Sequence, residues 1–356
     1  MRIRNHTAAF TLVEVLVAAS LIVVLMGVLL GMTDQTQRLV RSTSAKVEQF
    51  QEARVGFESM TRRLAQATLN TYWEYDNPIK PTRYQRSAEL RFVSGVTATV
   101  TSGIAGGGFR PGHCVFFHAP NGLVENQEKN GMLDSAINVW GYFLEVGTDT
   151  VPAFLEATIP GRKRFRLMEA MQPTEQLKTF EFQSITAADA KKWFAPLVSG
   201  NNRPVRVLAE NIVSLIILPR LSRADEVLYK SENGGRNPVL ANRYSYDTTT
   251  TTVTDPILNP RNQLPPVVQV VMIAIDEPSA KNLQDRYGSD RYIGIDTEAG
   301  LFRDPASLED DSTTSTANDG DLYKLEQRLI NKRVSYRIFS TNVSIRGAKW
   351  SRSQSK

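Results

Sequence analysis

The distribution of apolar residues along the chain begins with a sharp contrast. Residues 1–9 are polar and carry Arg2 and Arg4, whereas residues 10–32 are almost wholly apolar. The polar side chains within this apolar run are Thr11, Glu14 and Ser20. At about 1.5 Å per residue, a helix of this length reaches roughly 35 Å, which is enough to cross a bilayer. The pattern therefore predicts a basic leader peptide over residues 1–9 and a transmembrane helix over residues 10–32.

The flanks of the apolar run indicate its orientation and its processing. Because Arg2 and Arg4 precede the run, the positive-inside rule places the N-terminus in the cytoplasm and the rest of the chain outside it. A secretory signal has a shorter apolar core, and its small-residue cleavage site follows that core. Here the run is longer, and a small residue, Ala9, lies before it. This order predicts processing on the cytoplasmic side, with the apolar helix kept in the mature protein.

Glu14 is a carboxylate inside a segment suited to lipid. At the centre of a bilayer such a group costs on the order of 2.5–3.5 kcal/mol on insertion scales, and less near the end of a span. One interpretation is simple tolerance near the membrane interface. The other is a partner: an α-amino group created on Phe10 would place a positive charge within one helical turn, on this chain or on a neighbour. If the two opposite charges pair only on assembly, their pairing would fix the register between subunits.

Helical periodicity continues beyond the membrane segment. From Val40 onward the apolar residues recur at intervals that fit one face of a helix. These residues are Val47, Phe50, Phe57, Met60, Leu64 and Ala67. We therefore expect one helix from about Phe10 to Asn70, ended by Pro78 and Pro81, whose part over residues 33–71 lays an amphipathic face on a globular domain. A free coiled coil is the alternative.

Three glycines interrupt the predicted helix, and they leave two interpretations open. Gly27, Gly31 and Gly56 weaken a helix through their conformational freedom. Such small residues permit close packing between membrane helices. They also permit local melting of the helix when subunits pack into a filament.

Residues 72–356 change to short β-rich runs with few helices. The predicted strands lie in AELRFVS from Ala88, HCVFFHA from His113, WGYFLEVG from Trp140, KRFRLMEAM from Lys163, VRVLAENIVSLIILPR from Val205, PPVVQVVMIAID from Pro265 and VSYRIFSTNVSIRGAKW from Val334. The predicted helices begin at Ile185, with Thr186 as its cap, and at Leu322. Long loops follow Tyr244 and Asp304. Strands with short helices behind one long helix predict an α+β fold, with an antiparallel sheet in the globular domain.

Composition narrows the range of functions. The chain has 356 residues, 41% apolar and 22% charged, which is enough to bury a core. Its formal net charge of +5 is not concentrated in long runs, so no nucleic-acid partner is favoured. Cys114 is the single cysteine, so an intramolecular disulfide is excluded, and we expect its thiol to be buried.

The acidic loop that follows Asp304 contains candidate calcium ligands. The stretch STANDGDLYKLE fails a calcium-loop template because Ala317 occupies a ligand position. A looser calcium site is the alternative to a solvated acidic loop. Its candidate ligands are Asp310, Asp311, Asp319 and Asp321.

The run HCVFFH contains residue types that zinc prefers. In a strand, however, His113 and Cys114 point to opposite faces, and so do His113 and His118. Cys114 and His118 share a face but lie some 13 Å apart, at about 3.3 Å per residue. The glycine-rich stretch from Gly103 lacks the ending of a phosphate loop. We find no catalytic constellation in the sequence, and we expect neither an enzyme nor a cofactor.

The N-terminal residues AAFTLVEVLVAAS resemble the type IV prepilin cleavage and methylation signal. The resemblance implies that a prepilin peptidase cuts between Ala9 and Phe10 and methylates the new amine of Phe10. It also implies that Glu14 aligns the subunits during assembly. Members of this family usually have glycine where this chain has Ala9, and many have proline where it has Gly31.

Later segments are similar, more loosely, to the J-type minor pseudopilins and the related W-type minor pilins. These segments are VLAENIVSLIILPR, QLPPVVQVVMIAIDE and YRIFSTNVSIRGAKW. The closing R-x-x-K-W-S resembles the Verru_Chthon cassette type C proteins of verrucomicrobial bacteria. The middle of the chain is not covered by these similarities.

The resemblance implies a minor pilin or pseudopilin of a type II secretion or type IV pilus-like filament. Its role there would be structural, priming assembly at the tip. The expected partners are prepilin peptidase, other major and minor pilins and the inner membrane, with a periplasmic globular domain. The alternatives are a tip adhesin or DNA-binding minor pilin, and a membrane-anchored enzyme. A bulky globular domain packs poorly along a shaft, which favours the tip.

Overall fold

The structure is a computed structural model that describes residues 11–104, 106, 108–148, 161–179, 190–200, 202–250, 253, 255, 257–287, 300–308 and 320–350. The chain divides into two compact units, Met1–Gln49 and Phe50–Lys356. One helix, α1 (Leu12–Leu64), supplies the described part of the first unit and the beginning of the second. The second unit contains the sheets.

In the first unit, α1 is an apolar helix with its large side chains exposed. The 29-residue stretch Leu12–Val40 is long and apolar enough to cross a membrane, and it is not buried by other parts of the protein. Leu and Ala favour the helix, and the stretch contains no proline. The hydroxyls of Ser20 and Thr33 donate to the carbonyls of Val17 and Leu29, both at 2.8 Å. Each is thus satisfied within its own helix, as a lipid environment requires.

In the globular unit, the remainder of α1 buries a stripe of apolar residues. Phe57, Met60 and Leu64 lie in the core, and Phe50 is half-buried against it, as the periodicity predicts. Ala53, which the sequence analysis did not select, is also buried at the same face. The predicted contact at Val47 lies outside the side chains that the structure describes.

The helix ends at Leu64, so the prediction that it continues to about Asn70 was wrong. The amides of Gln66 and Ala67 donate to carbonyls three residues back, at 2.9 and 3.0 Å, which tightens the last turn. The Thr68 amide then donates to the His118 carbonyl at 2.9 Å. A hydrogen bond to a strand replaces the next helical bond, so tertiary contacts end the helix well before Pro78.

Two antiparallel sheets and one hairpin follow, which confirms the α+β prediction. The strands are β1 (Tyr72–Tyr75), β2 (Tyr84–Ser87), β3 (Phe92–Val96), β4 (His113–Pro120), β5 (Ile137–Thr148), β6 (Lys163–Gln172), β7 (Val205–Glu210), β8 (Ile212–Arg220), β9 (Tyr246–Asp247), β10 (Val267–Ile275) and β11 (Tyr336–Ser344). The larger sheet has the order β7-β6-β5-β4-β3-β9, the smaller one has the order β11-β10-β8, and β1 pairs with β2.

Six helices besides α1 lie in the described part of the globular unit. They are α2 (Thr97–Val100), α3 (Gln127–Asn130), α4 (Ala195–Val198), α5 (Arg223–Glu232), α6 (Glu277–Tyr287) and α7 (Asp321–Asn331). The predicted helix from Leu322 corresponds to α7. Helices α5 and α6 and the β1–β2 hairpin were not predicted.

Of the short helix predicted from Ile185, the described residues form a helix over Ala195–Val198 alone. Its start, with Thr186, lies outside the described residues, and the described part is a turn followed by the four-residue α4. Pro196 fits within the first turn of a helix and cannot lie in a helix interior, which fixes the start of α4 at Ala195. The preceding Trp193 and Phe194 are buried beneath the larger sheet instead of lying on a helix face.

Strand β4 is buried on both faces, which explains its unbroken apolar pattern. Val115 and Phe117 belong to the main core, shared with the smaller sheet and α1. Cys114 and Phe116 belong to a second core on the opposite face, closed by Trp193 and its neighbours. A strand covered on both faces has no reason to alternate apolar and polar residues.

Candidate assembly site

The start of α1 is a reciprocal capping box between Thr11 and Glu14. The amide and the hydroxyl of Thr11 both donate to Glu14 Oε2 at 3.0 Å, and the Glu14 amide donates to Thr11 Oγ1 at 3.3 Å. This arrangement satisfies amides that a helix otherwise leaves without partners at its N-terminus. This role of Thr11 was not predicted, although the spacing Thr-x-x-Glu before an apolar run is the usual signal of a capping box.

The capping box leaves half of the Glu14 carboxylate unused. Both hydrogen bonds fall on Oε2, and Oε1 accepts none from the residues that the structure describes. Glu14 is exposed in this chain, as are the apolar residues beside it, such as Val13 and Val15. The carboxylate is therefore held at the end of the helix, with Oε1 left without a hydrogen bond from the described residues.

The two predicted processing residues, Ala9 and Phe10, lie outside the described residues. Phe10 is covalently adjacent to Thr11, whose amide is part of the capping box. An amine created at Phe10 would thus be separated from the capped turn by a single peptide unit. Cleavage there would leave Thr11 and Glu14 in the mature chain.

Gly27 and Gly31 are helical in α1, and no atom outside their own helix lies within 4 Å of a side chain added there. Gly56 differs, because an added Cβ would lie 3.3 Å from Ala209 Cβ. Close packing on strand β7 therefore accounts for Gly56. Close packing between membrane helices and local melting of the helix both stay predictions for Gly27 and Gly31.

The residues of HCVFFH are separated as the strand geometry predicts. His113 Nδ1 accepts the Ile217 amide at 3.1 Å, and His113 contacts the ring of Tyr244 on one side of the sheet. His118 stacks on Trp193 on the other side, and its Nε2 lies 2.8 Å from Thr179 Oγ1. Burial lowers the pKa of each histidine to about 4.

Cys114 is buried, as expected, and burial raises the pKa of its thiol to about 12. Among the residues that the structure describes, no three histidine, cysteine or acidic side chains are grouped as a metal site would require.

Only one of the four calcium candidates, Asp321, lies within the described residues; Asp310, Asp311 and Asp319 do not. Asp321 is buried in the first turn of α7, and its Oδ2 accepts the Phe302 amide at 2.7 Å. Its other oxygen lies 3.9 Å from Lys324 Nζ. In this structure Asp321 thus supports the backbone at Phe302.

A buried ionic cluster attaches the C-terminal turn of α1 to the larger sheet. Glu169, only 2% exposed, accepts a hydrogen bond from Tyr142 at 2.8 Å and pairs with Arg63 and Arg206. The Arg63 guanidinium also lies 4.2 Å from the centre of the Trp140 ring. Burial raises the pKa of Tyr142, so its hydroxyl stays protonated and donates. No local signal in the sequence pointed to this cluster, because its members come from separate elements.

Comparison with known proteins bears on the N-terminal site. Residues 4–30 match the family described as the prokaryotic N-terminal methylation motif. Comparisons with curated proteins and with solved structures gave no match. The matched residues include Thr11, Glu14 and the predicted cleavage site, and they continue into the candidate membrane span. With its long apolar helix and antiparallel sheets, the chain has an α+β, pilin-like arrangement and carries a type IV pilin-like N-terminal signal.

Proposed function

We propose that this protein is a minor pilin or pseudopilin, a structural subunit of a type II secretion or type IV pilus-like filament. The observation that carries the proposal is Glu14. It is an exposed carboxylate held by a capping box at the start of an otherwise apolar helix, within the matched methylation motif. A plain membrane anchor needs the Glu14 carboxylate only as a helix cap, whereas a subunit that pairs with its neighbour also uses its charge.

The proposed mechanism begins with processing at the cytoplasmic face of the inner membrane. Prepilin peptidase cuts between Ala9 and Phe10 and methylates the amine of Phe10. The apolar helix then holds the subunit in the bilayer, with the globular unit on the periplasmic side. During assembly the helix leaves the membrane, and Glu14 Oε1 pairs with the Phe10 amine of an adjacent subunit. Because Oε2 serves the cap, pairing through Oε1 does not require the helix to fray.

We place the subunit at the filament tip, among other minor pilins. The second unit, Phe50–Lys356, is by far the larger of the two. A shaft requires many helices to pack side by side, and such a large globular unit disfavours that packing. The similarity of later segments to J-type pseudopilins supports the same placement.

The experiment that tests the proposal is intact mass and N-terminal sequencing of the protein purified from native membranes. The expected product begins at N-methylated Phe10 and is absent from cells that lack prepilin peptidase. A mature chain that still begins at Met1, or one cut after Met32, would reduce the N-terminus to an anchor or an export signal and would overturn the filament role.

A further inference from the structure

A cavity of about 1030 Å³ lies in the globular unit, away from the N-terminal site. Its walls come from four places in the chain: the end of β3 with α2, residues 110–113, residues 242–245, and residues 301–304. His113, at the start of β4, also lines the cavity. A volume of this size lies at the upper end of the range for ligand pockets, about 300–1,000 Å³, and accommodates a short peptide segment.

The polar side chains at this cavity include two arginines that nothing in the described structure neutralises. Arg243 and Arg303 are exposed, and neither forms an ion pair with the residues that the structure describes. A third arginine, Arg110, is already engaged, because it pairs with Glu145 at 2.9 Å and donates to the Val198 carbonyl at 2.6 Å. The cavity therefore offers two guanidinium groups to an anion.

His113 is a buried residue of the cavity wall that backbone groups already hold. The Ile217 amide donates to His113 Nδ1, so in the neutral ring Nε2 carries the hydrogen. The ring is 1% exposed, and the Phe302 backbone is a hydrogen-bond partner that opposes the effect of burial on its pKa. His113 therefore supports the wall at Phe302, and the contacts that the cavity offers to an anion come from its arginines.

The backbone around the cavity is held in an unfavourable conformation. Arg243, Tyr244 and Phe302 have φ values of 51°, 61° and 56°, in the left-handed region that residues with a side chain avoid. The contacts of Asp321 with the Phe302 amide and of Tyr244 with His113 hold this conformation. Such residues tend to cluster where a protein binds a ligand, and here three of them adjoin one cavity.

We propose that this cavity binds an acidic, otherwise apolar peptide segment of another protein chain. The guanidinium groups of Arg243 and Arg303 hold its carboxylate, because their planar donors match that group in paired hydrogen bonds. The half-buried Val96 and the exposed Ala98 in the cavity wall contact its apolar residues. Asp304, whose Oδ1 accepts the Ala306 amide at 3.0 Å, also lines the cavity and disfavours the dense negative charge of a nucleic acid.

Fluorescence anisotropy on the full chain in detergent micelles tests this proposal. The probe is a fluorescein-labelled peptide, Leu-Glu-Phe-Glu-Leu, and its control has glutamine in place of both glutamates. We expect saturable binding of the acidic peptide, at least tenfold tighter than that of the control. Arg243→Ala and Arg303→Ala should each weaken binding about tenfold, which corresponds to the loss of one charge-assisted contact.

Two further variants separate the cavity from general surface charge. Arg261→Ala removes an exposed arginine outside the cavity and should leave binding unchanged. Ala98→Trp keeps every charge but narrows the cavity at its exposed wall, so it should weaken binding. The proposal is overturned if the acidic peptide does not bind saturably, if both peptides bind equally, or if Arg261→Ala weakens binding as much as Arg243→Ala. It is also overturned if oligothymidylate displaces the acidic peptide.

Discussion

Replacing Glu14 with glutamine separates its two roles. Glutamine at the third helical position of a capping box still accepts from the Thr11 amide and hydroxyl, so Glu14→Gln keeps the cap. The same change removes the negative charge that pairs with a neighbouring amine. Glu14→Ala removes both functions. Comparing the two variants therefore shows which role assembly requires.

The two roles differ in magnitude by enough to be distinguished. Loss of an N-terminal cap costs about 1 kcal/mol. Removing one partner of a buried ion pair costs about 3–5 kcal/mol, because the remaining charge is left uncompensated in a low dielectric. At about 1.4 kcal/mol per factor of ten, that loss corresponds to at least a hundredfold in assembly. We therefore expect both variants to fail in assembly, with Glu14→Ala worse by less than about tenfold.

The assay is the amount of each variant that co-purifies with sheared filaments, divided by its amount in the membrane. Ser20→Ala is the matched control, because the Ser20 hydroxyl donates to the Val17 carbonyl within the helix and should not contribute to assembly. Membrane insertion should be unchanged or improved in both Glu14 variants. If Glu14→Gln assembles like the native chain while Glu14→Ala does not, Glu14 acts only as a cap and the charge-pairing mechanism is wrong.

Three further predictions concern processing and the globular unit. Ala9→Gly should accelerate removal of the leader, measured as the ratio of precursor to mature chain in a pulse-chase; an unchanged or slower rate would show that Ala9 does not limit cleavage. Gly141→Ala should lower the free energy of unfolding by about 1–3 kcal/mol in chemical denaturation, because an added Cβ would lie 2.5 Å from a Phe116 ring carbon. A loss below about 0.5 kcal/mol would mean that the sheet adjusts freely. Burial lowers the pKa of His113 and of His118 to about 4, so both rings are protonated more readily in the unfolded chain. The free energy of unfolding should therefore be constant above about pH 6.5 and should decrease as the pH falls toward 4, by roughly 3 kcal/mol for each ring. Equal free energies of unfolding at pH 7.5 and pH 5 would contradict this expectation.

The sequence determined the elements whose pattern is local and strong. The apolar run over residues 10–32 predicts a membrane-length helix because nothing but lipid or a protein core accommodates so long an apolar surface. The stripe of Phe57, Met60 and Leu64 predicts which face of the helix is buried. Strands such as β8 and β10 were found from their unbroken apolar residues, since strands covered on both faces lack alternation. Glu14 was identified because a charge within such a run requires an explanation.

Only the tertiary structure decided the features that depend on residues far apart in the chain. The end of α1 at Leu64 is set by a hydrogen bond from Thr68 to a strand about fifty residues later. Asp321, a calcium candidate in the sequence, supports the Phe302 amide, and the cavity brings together four separate segments. Local propensity reports how a segment prefers to fold, whereas hydrogen-bond partners and cavity walls are fixed by packing between segments that no short window of sequence contains.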